Sequence, residues 1–247
     1  MRAVINYCQQ EYKTHGIVNG IDTAYYNPNG DPDLKFSYSL EDMAGKAENK
    51  AELQRMFGLA ESPTTPVVAM ISRLASHKGF DLVKCVLEEI LQWDVQFVLL
   101  GTGEAELEDY FSGLASRYPG KVGVVLAFNK ALAKQVYAGS DIFLMPSKSE
   151  PCGLSQMIAS AYGTVPVVRA IGGLRDTIHP YDPETKEGNG ITFESYNAHD
   201  MMDAVRRAVA LFAEREHWPV LVRNAMTADF SWDASAAGYL SIYNDLT

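Results

Sequence analysis

Five continuous apolar runs, at residues 67–71, 95–100, 122–127, 142–145 and 165–168, constrain this chain more than any other feature. Amphipathic stretches with helical patterning lie between them, at 80–91, 105–118, 131–138 and 154–162. Runs without polar alternation belong to strands covered on both faces, and alternation with helices makes such a sheet parallel. The pattern predicts a doubly wound α/β domain. Right-handed crossovers then gather all the strand carboxyl ends on one edge, where sheets of this class hold ligands. After residues 190–193 the chain reads as wholly helical. Asn197 or Asp200 would cap a helix running to about residue 213, and a last helix is expected over 234–245.

The first 66 residues read differently. Gly16-Ile-Val-Asn-Gly-Ile-Asp22 carries a turn signal, residues 27–33 are a loop, 46–57 have helical composition, and 61–66 form a linker into the sheet. No internal repeat appears. A formal charge of −10 and an acidic balance argue against a surface built for nucleic acid or anionic membrane, though a few local cations can still serve a phosphate. Apolar runs fall far short of the roughly 18 residues of a membrane helix. Cys8, Cys85 and Cys152 lack metal-type spacing, and a sparse, odd count fits a reduced compartment, so the cytoplasm is expected. The five histidines show no ligand spacing, and no metal is expected.

Chemistry concentrates in the loops that follow strands. After the first run, Arg73 and Lys78 offer a planar fork and a point charge for a diphosphate, or are solvated cations at a helix start. After the second, Gly101 and Gly103 would let backbone approach a ligand, or simply make a tight turn; the third glycine of a dinucleotide fingerprint is absent. The segment from Pro146 to Met157 is the richest. Glu150 precedes Pro151 and a helix start, where the amides of Gly153, Leu154 and Ser155 would be free for an anion. The alternative makes Glu150 an exposed acid and Ser155 a cap. Ser155 lies in Gly-Leu-Ser-Gln-Met, not in a hydrolase elbow. Gly172 and Gly173 form another turn, presenting amides or only turning the chain. Phe128 sits just past a strand end, placed for stacking on a base or for packing. Trp232 and the tyrosines of the last helix are expected to pack that helix onto the domain.

These residues resemble a known family. Gly-Ile-Val-Asn-Gly-Ile-Asp, Ser-Arg-Leu-x-x-x-Lys-Gly, Gly-Thr-Gly, Glu-Pro-Cys-Gly-Leu-Ser-Gln-Met and Gly-Gly-Leu occur here in the order found in bacterial glycogen synthases and plant starch synthases. The resemblance runs from about Gly16 to the C-terminus. It implies a Rossmann-like sheet forming the C-terminal half of a GT-B glycosyltransferase, with residues 22–247 as the nucleotide-sugar domain and 1–21 as a connector from an N-terminal domain outside this sequence.

The resemblance also implies roles. Arg73 and Lys78 would bind the diphosphate of ADP-glucose, joined by Ser155 and the Leu154 amide. Glu150, with the backbone of Cys152 and Gly153, would hold the glucose hydroxyls. Phe128 would lie beside the adenine, and Gly101, Gly103, Gly172 and Gly173 would line the cleft. The family transfers glucose with retention to an α-1,4-glucan acceptor, without metal or other cofactor, releasing ADP. Arg73, Lys78 and Glu150 would be the catalytic residues this half supplies. One departure from more distant relatives is Ile158, where those enzymes carry a second glutamate. A chain lacking the N-terminal domain is expected to bind donor without extending glucan. Two other readings remain: a GT-B transferase using a UDP-sugar, and a non-catalytic module that binds nucleotide or glucan.

Overall fold

A computed structural model of the protein describes Tyr7 and residues 14–246. Cys8, Thr247 and most of the expected connector lie outside the described residues. Six strands form one sheet: β1 (Val67–Ile71), β2 (Gln96–Leu100), β3 (Val122–Val125), β4 (Ile142–Met145), β5 (Val165–Arg169) and β6 (Ile191–Phe193). The order is β3-β2-β1-β4-β5-β6 and every pairing is parallel. Nine α-helices among the described residues complete the fold: α1 (Ala44–Met56), α2 (Phe80–Ile90), α3 (Ala105–Arg117), α4 (Lys130–Gly139), α5 (Ser155–Ala161), α6 (Gly173–Thr177), α7 (Ala198–Phe212), α8 (Trp218–Thr227) and α9 (Trp232–Asp245).

The apolar runs become strands because both their faces are covered. Val68 and Met70 of β1 join Phe97 and Leu99 in a core with Phe80, Phe111 and Met201 from α2, α3 and α7. Val67 and Ala69 point the other way, with Val98, into a core with Leu53, Val136 and Met157 from α1, α4 and α5. The doubly wound expectation is met. β3 is shorter than expected, ending at Val125, so residues 126–128 project past the sheet.

Helix starts follow local hydrogen bonding. The Asn129 side chain accepts from Leu132 N–H at 3.0 Å, Asn197 from His199 N–H at 2.8 Å, and Ser231 from Ala234 N–H at 3.2 Å. A cap of this kind contributes about 1 kcal/mol. Asn197, not Asp200, is therefore the cap of α7, and Ser231 starts the last helix at Trp232. The aromatic residues of that helix do not pack as expected. Trp232 and Tyr243 are 53% and 61% exposed, Tyr239 is exposed as well, and Ser235 is the one buried residue of α9.

The strand order places the site. The crossover from β1 leads toward β2 and the one from β4 leads toward β5, on opposite sides of the adjacent β1–β4 pair. A crevice opens where connections diverge in this way, outside the strand carboxyl ends.

Candidate functional site

The loops after β1 and β4 meet at that divergence, and a glycine lets them touch. Gly79 has φ 82°, and a Cβ there would lie 2.1 Å from the Pro146 carbonyl oxygen. Lys148 N–H donates to the His77 carbonyl at 2.8 Å, tying the loops together. Lys78 Nζ then reaches Glu150 Oε2 at 2.7 Å, and Ser147 Oγ donates to the same oxygen at 3.2 Å. Glu150 is buried and Lys78 half-buried. Glu150 Oε1 accepts from none of the described residues. Arg73 stands exposed on the same loop as Lys78, outside any ion pair among the described residues.

Beyond Glu150 the backbone turns sharply. Gly153 has φ 73°, and Leu154 follows in the right-handed region at φ −111°, ψ −32°. A left-handed residue followed by a right-handed one turns successive N–H groups to one side, forming a concavity suited to an anion. The N–H groups of Gly153, Leu154 and Ser155 donate to none of the described residues. Cys152 is half-buried beside them. Burial pushes the Tyr137 phenol well above its ordinary range, a shift that the neighbouring Ser155 opposes.

Other glycines serve packing. Cβ atoms at Gly172 and Gly173 would lie 2.3 Å from the Glu150 carbonyl oxygen and 2.1 Å from that of Cys152. Gly173 N–H donates to the Glu150 carbonyl at 3.1 Å. Gly101 N–H donates to Val125 O at 3.2 Å and Gly103 N–H to the Glu108 carboxylate at 2.7 Å. Cβ atoms at Gly101 and Gly103 would each fall 1.9 Å from a carbonyl oxygen of the 72–74 segment. The expectation that the Gly172–Gly173 turn presents amides to a ligand is corrected at Gly173, whose amide is held inside the protein, as are those of Gly101 and Gly103. Close approach of neighbouring backbone is what requires glycine there.

Phe128 stands 86% exposed beyond β3, so the packing alternative does not describe it. Three contributors were not singled out by sequence reasoning. Ser147 steadies Glu150. Arg169 donates from Nη1 to the Lys148 carbonyl at 3.0 Å and from Nε to the Glu194 carbonyl at 3.1 Å, bracing the β4 loop. Gln156 lies fully buried beneath the 152–154 turn. No spacing announces any of the three, because each acts through a contact made only in the fold.

The rim is an open shelf, with a hollow of about 10 Å³ at Lys78, Pro146 and Ser147. A larger hollow of about 420 Å³ lies between residues 16–19 and the start of α9 and contains none of the predicted site residues. No three His, Cys, Asp or Glu side chains among the described residues gather as a metal ion would require.

The sequence profile described as Glycosyl transferases group 1 matches residues 52–228, which include every strand and both loops of the crevice. The chain belongs to that family. Its relatives include a glycogen synthase of Bacillus cereus (strain B4264), 52% identical over 95% of this chain and 49% of the relative. A glycogen synthase of Geobacillus thermodenitrificans is 50% identical over 94% of this chain and 48% of its own length. Among solved structures, the catalytic domain of starch synthase IV from Arabidopsis thaliana, bound to ADP and acarbose, superposes with a TM-score of 0.89 at 36% identity, covering 98% of this chain and 50% of that one. The resemblance to glycogen and starch synthases is thus upheld, and the sheet is that of a GT-B glycosyltransferase half. This chain spans about half the length of the relatives it matches. No helix among the described residues is long and apolar enough to cross a membrane.

Proposed function

We propose that this chain is the donor half of an α-1,4-glucan synthase that takes glucose from ADP-glucose, and that it works in the cytoplasm. The observation that carries the proposal is the meeting of Lys78, Glu150 and the three free amides of residues 153–155 at the β1–β4 crevice. Arg73, Lys78 and those amides hold the diphosphate. Glu150 keeps Oε1 for sugar hydroxyls while Lys78 and Ser147 fix its other oxygen. Phe128 offers an exposed face to the adenine.

When the sugar–phosphate bond breaks, negative charge gathers on the departing ADP. Cations and amides already in place stabilise that charge without reorganising, which is where an enzyme gains most. Glucose passes with retention to the non-reducing end of a glucan. No metal takes part in this reading.

The acceptor side belongs to an N-terminal domain, with residues 1–21 as the connector and 22–247 as the donor domain. Two features support this. Ile21 is buried and its N–H donates to the Phe230 carbonyl at 2.8 Å, which supports a donor domain that begins close to residue 22. The exposed Trp232, Tyr239 and Tyr243 on α9 give an apolar face for a second domain to cover. On its own the chain binds nucleotide and does not extend glucan.

Calorimetric titration tests the proposal. ADP should bind more tightly than UDP. Arg73→Ala should weaken ADP by about 10- to 100-fold, the range for a hydrogen bond to a charged group. Phe128→Ala should weaken it about fivefold with an unchanged melting temperature, since the ring lies almost wholly in solvent. Equal ADP affinity in wild type and Arg73→Ala, or preference for UDP, refutes the reading.

A further inference from the structure

Beneath the 152–154 turn, one side chain reaches both of its peptide groups. Gln156 Nε2 donates to the Gly153 carbonyl at 2.9 Å and approaches the Cys152 carbonyl at 3.3 Å. In a trans peptide the C=O of one residue and the N–H of the next point in opposite directions. Drawing the Cys152 and Gly153 carbonyls inward therefore turns the Gly153 and Leu154 N–H groups outward, away from Gln156. Those are two of the three amides without a partner among the described residues.

The Gln156 amide is itself anchored. Nε2 also meets Thr177 Oγ1 at 3.1 Å, and Thr177 donates its hydroxyl hydrogen to the Gly173 carbonyl at 2.7 Å. Thr177 thus has a lone pair for one Nε2 hydrogen of Gln156 and a proton for α6, and the second Nε2 hydrogen is shared between the Gly153 and Cys152 carbonyls. Both side chains are buried, Gln156 completely. Its other terminal atom, Oε1, has no hydrogen-bond partner. A Cβ at Gly153 would fall 2.5 Å from that oxygen, so the turn rests directly on the amide. A buried polar oxygen without a partner costs stability. A leucine or methionine would fill the space without that cost, so the side chain is better explained by its donor end.

Resting on the donor-site reading above, we propose that Gln156 is the positioning residue of this site. With Thr177 behind it, Gln156 holds the Cys152–Gly153 and Gly153–Leu154 peptide groups with their N–H bonds facing the diphosphate of a nucleotide sugar. It touches no ligand itself.

The test uses the 247-residue chain, labelled with nitrogen-15, titrated with ADP. In wild type, the Gly153 and Leu154 amide resonances should move on saturation. Gln156→Met conserves volume and removes the donor; it should weaken ADP about 10- to 100-fold and abolish both movements at saturation. Phe128→Ala, which acts at the other end of the nucleotide, should weaken ADP yet keep both movements. Should Gln156→Met fail to fold, the Thr177 pair decides: Thr177→Val should reduce affinity and the two movements, and Thr177→Ser should restore them. Wild-type ADP affinity with intact Gly153 and Leu154 movements in Gln156→Met, or in Thr177→Val, overturns the inference while leaving the donor site standing. No ADP binding by wild type removes the donor site and the inference together.

Discussion

Gly79 and Gly58 form a controlled pair that separates backbone strain from the geometry of the crevice. Both are left-handed, at φ 82° and 65°. A Cβ at Gly58 meets nothing within 4 Å, whereas one at Gly79 falls 2.1 Å from the Pro146 carbonyl oxygen. Alanine at either position costs about 1–2 kcal/mol for a left-handed L-residue. For Gly58→Ala that is the whole effect, a fall in melting temperature of about 2–8 °C in a chain of this length. Gly79→Ala adds a collision with backbone, which cannot rotate away. Cβ contacts under 3.0 Å are essentially never seen, so the loops must part by about 0.9 Å. That movement stretches the 2.8 Å bond from Lys148 N–H to the His77 carbonyl, which contributes about 1 kcal/mol. It also separates Lys78 from Glu150. The expected loss is about 3–4 kcal/mol by urea denaturation, with at least a tenfold weaker ADP complex by calorimetry. Gly58→Ala should keep wild-type ADP affinity. If the two variants lose equal stability and bind ADP alike, the claim that Gly79 sets the contact between the loops is wrong.

Two further expectations concern buried charge away from the crevice. Lys134 Nζ lies 3.1 Å from carboxylate oxygens of both Asp31 and Asp33, with the Lys134 and Asp31 side chains only 3% and 0% exposed; Lys134→Met should cost about 3–5 kcal/mol in urea denaturation, and Lys134→Arg less, because the methionine leaves Asp31 buried without its cation. Lys46 is half-buried as a residue, but its Nζ is enclosed by the Ala138, Ser140 and Tyr162 carbonyls and Thr164 Oγ1, and burial above all lowers its pKa to about 7. Between about pH 7 and 9 the unfolded chain then binds more protons at this amine than the folded one, so stability rises with pH by at most about 1.4 kcal/mol per unit, and Lys46→Met should flatten that slope in denaturation midpoints. An equal slope in wild type and Lys46→Met rules out the amine as its source.

The sheet was legible because burial on both faces leaves an unbroken apolar run, and four of the five runs became strands within one residue. The exception, β3, lost its last two expected residues. Leu126 and Ala127 are apolar enough to extend it, but β2 ends at Leu100, which pairs with Val125, and nothing remains to pair with them. α8 went unread although its signals are present: Pro219 at its first turn and apolar Leu221, Val222 and Ala225 on one face. The face is short, and the preceding run of charged residues hides it. The last helix failed in the opposite sense. Aromatic content suggested packing, but only the fold shows that Ser235 faces inward while Trp232 and Tyr243 face out. In the site, charge-bearing residues were readable from type and position after strands. The glycines were readable as turns, yet not as the reason for them. Whether an amide faces a ligand or a neighbouring carbonyl depends on which loop lies opposite, and that is decided by strand order. Gln156 shows the limit most clearly, since its three partners come from the 152–153 turn and from α6, brought together only by folding.

The electrostatics of the crevice bear on how tightly this chain should hold a diphosphate. The chain carries a formal charge of −10, and within the crevice Lys78 is already compensated by Glu150 at 2.7 Å. On the two loops, Arg73 and Lys148 are the lysine and arginine side chains without a carboxylate partner among the described residues. Screening over about 8 Å at physiological salt removes most influence of the distant acids, so local geometry decides whether a diphosphate binds. On the proposed reading it gains Arg73, three amides and a Lys78 ammonium whose charge is already shared with Glu150. On an open shelf each of those interactions works against water. The same charges at 4 Å interact several-fold more strongly once water is displaced. A domain closing over the rim would raise every term at once, including those that act on the departing ADP. Affinity should therefore rise when that domain is supplied, with Arg73→Ala costing more in the closed enzyme than in this chain alone.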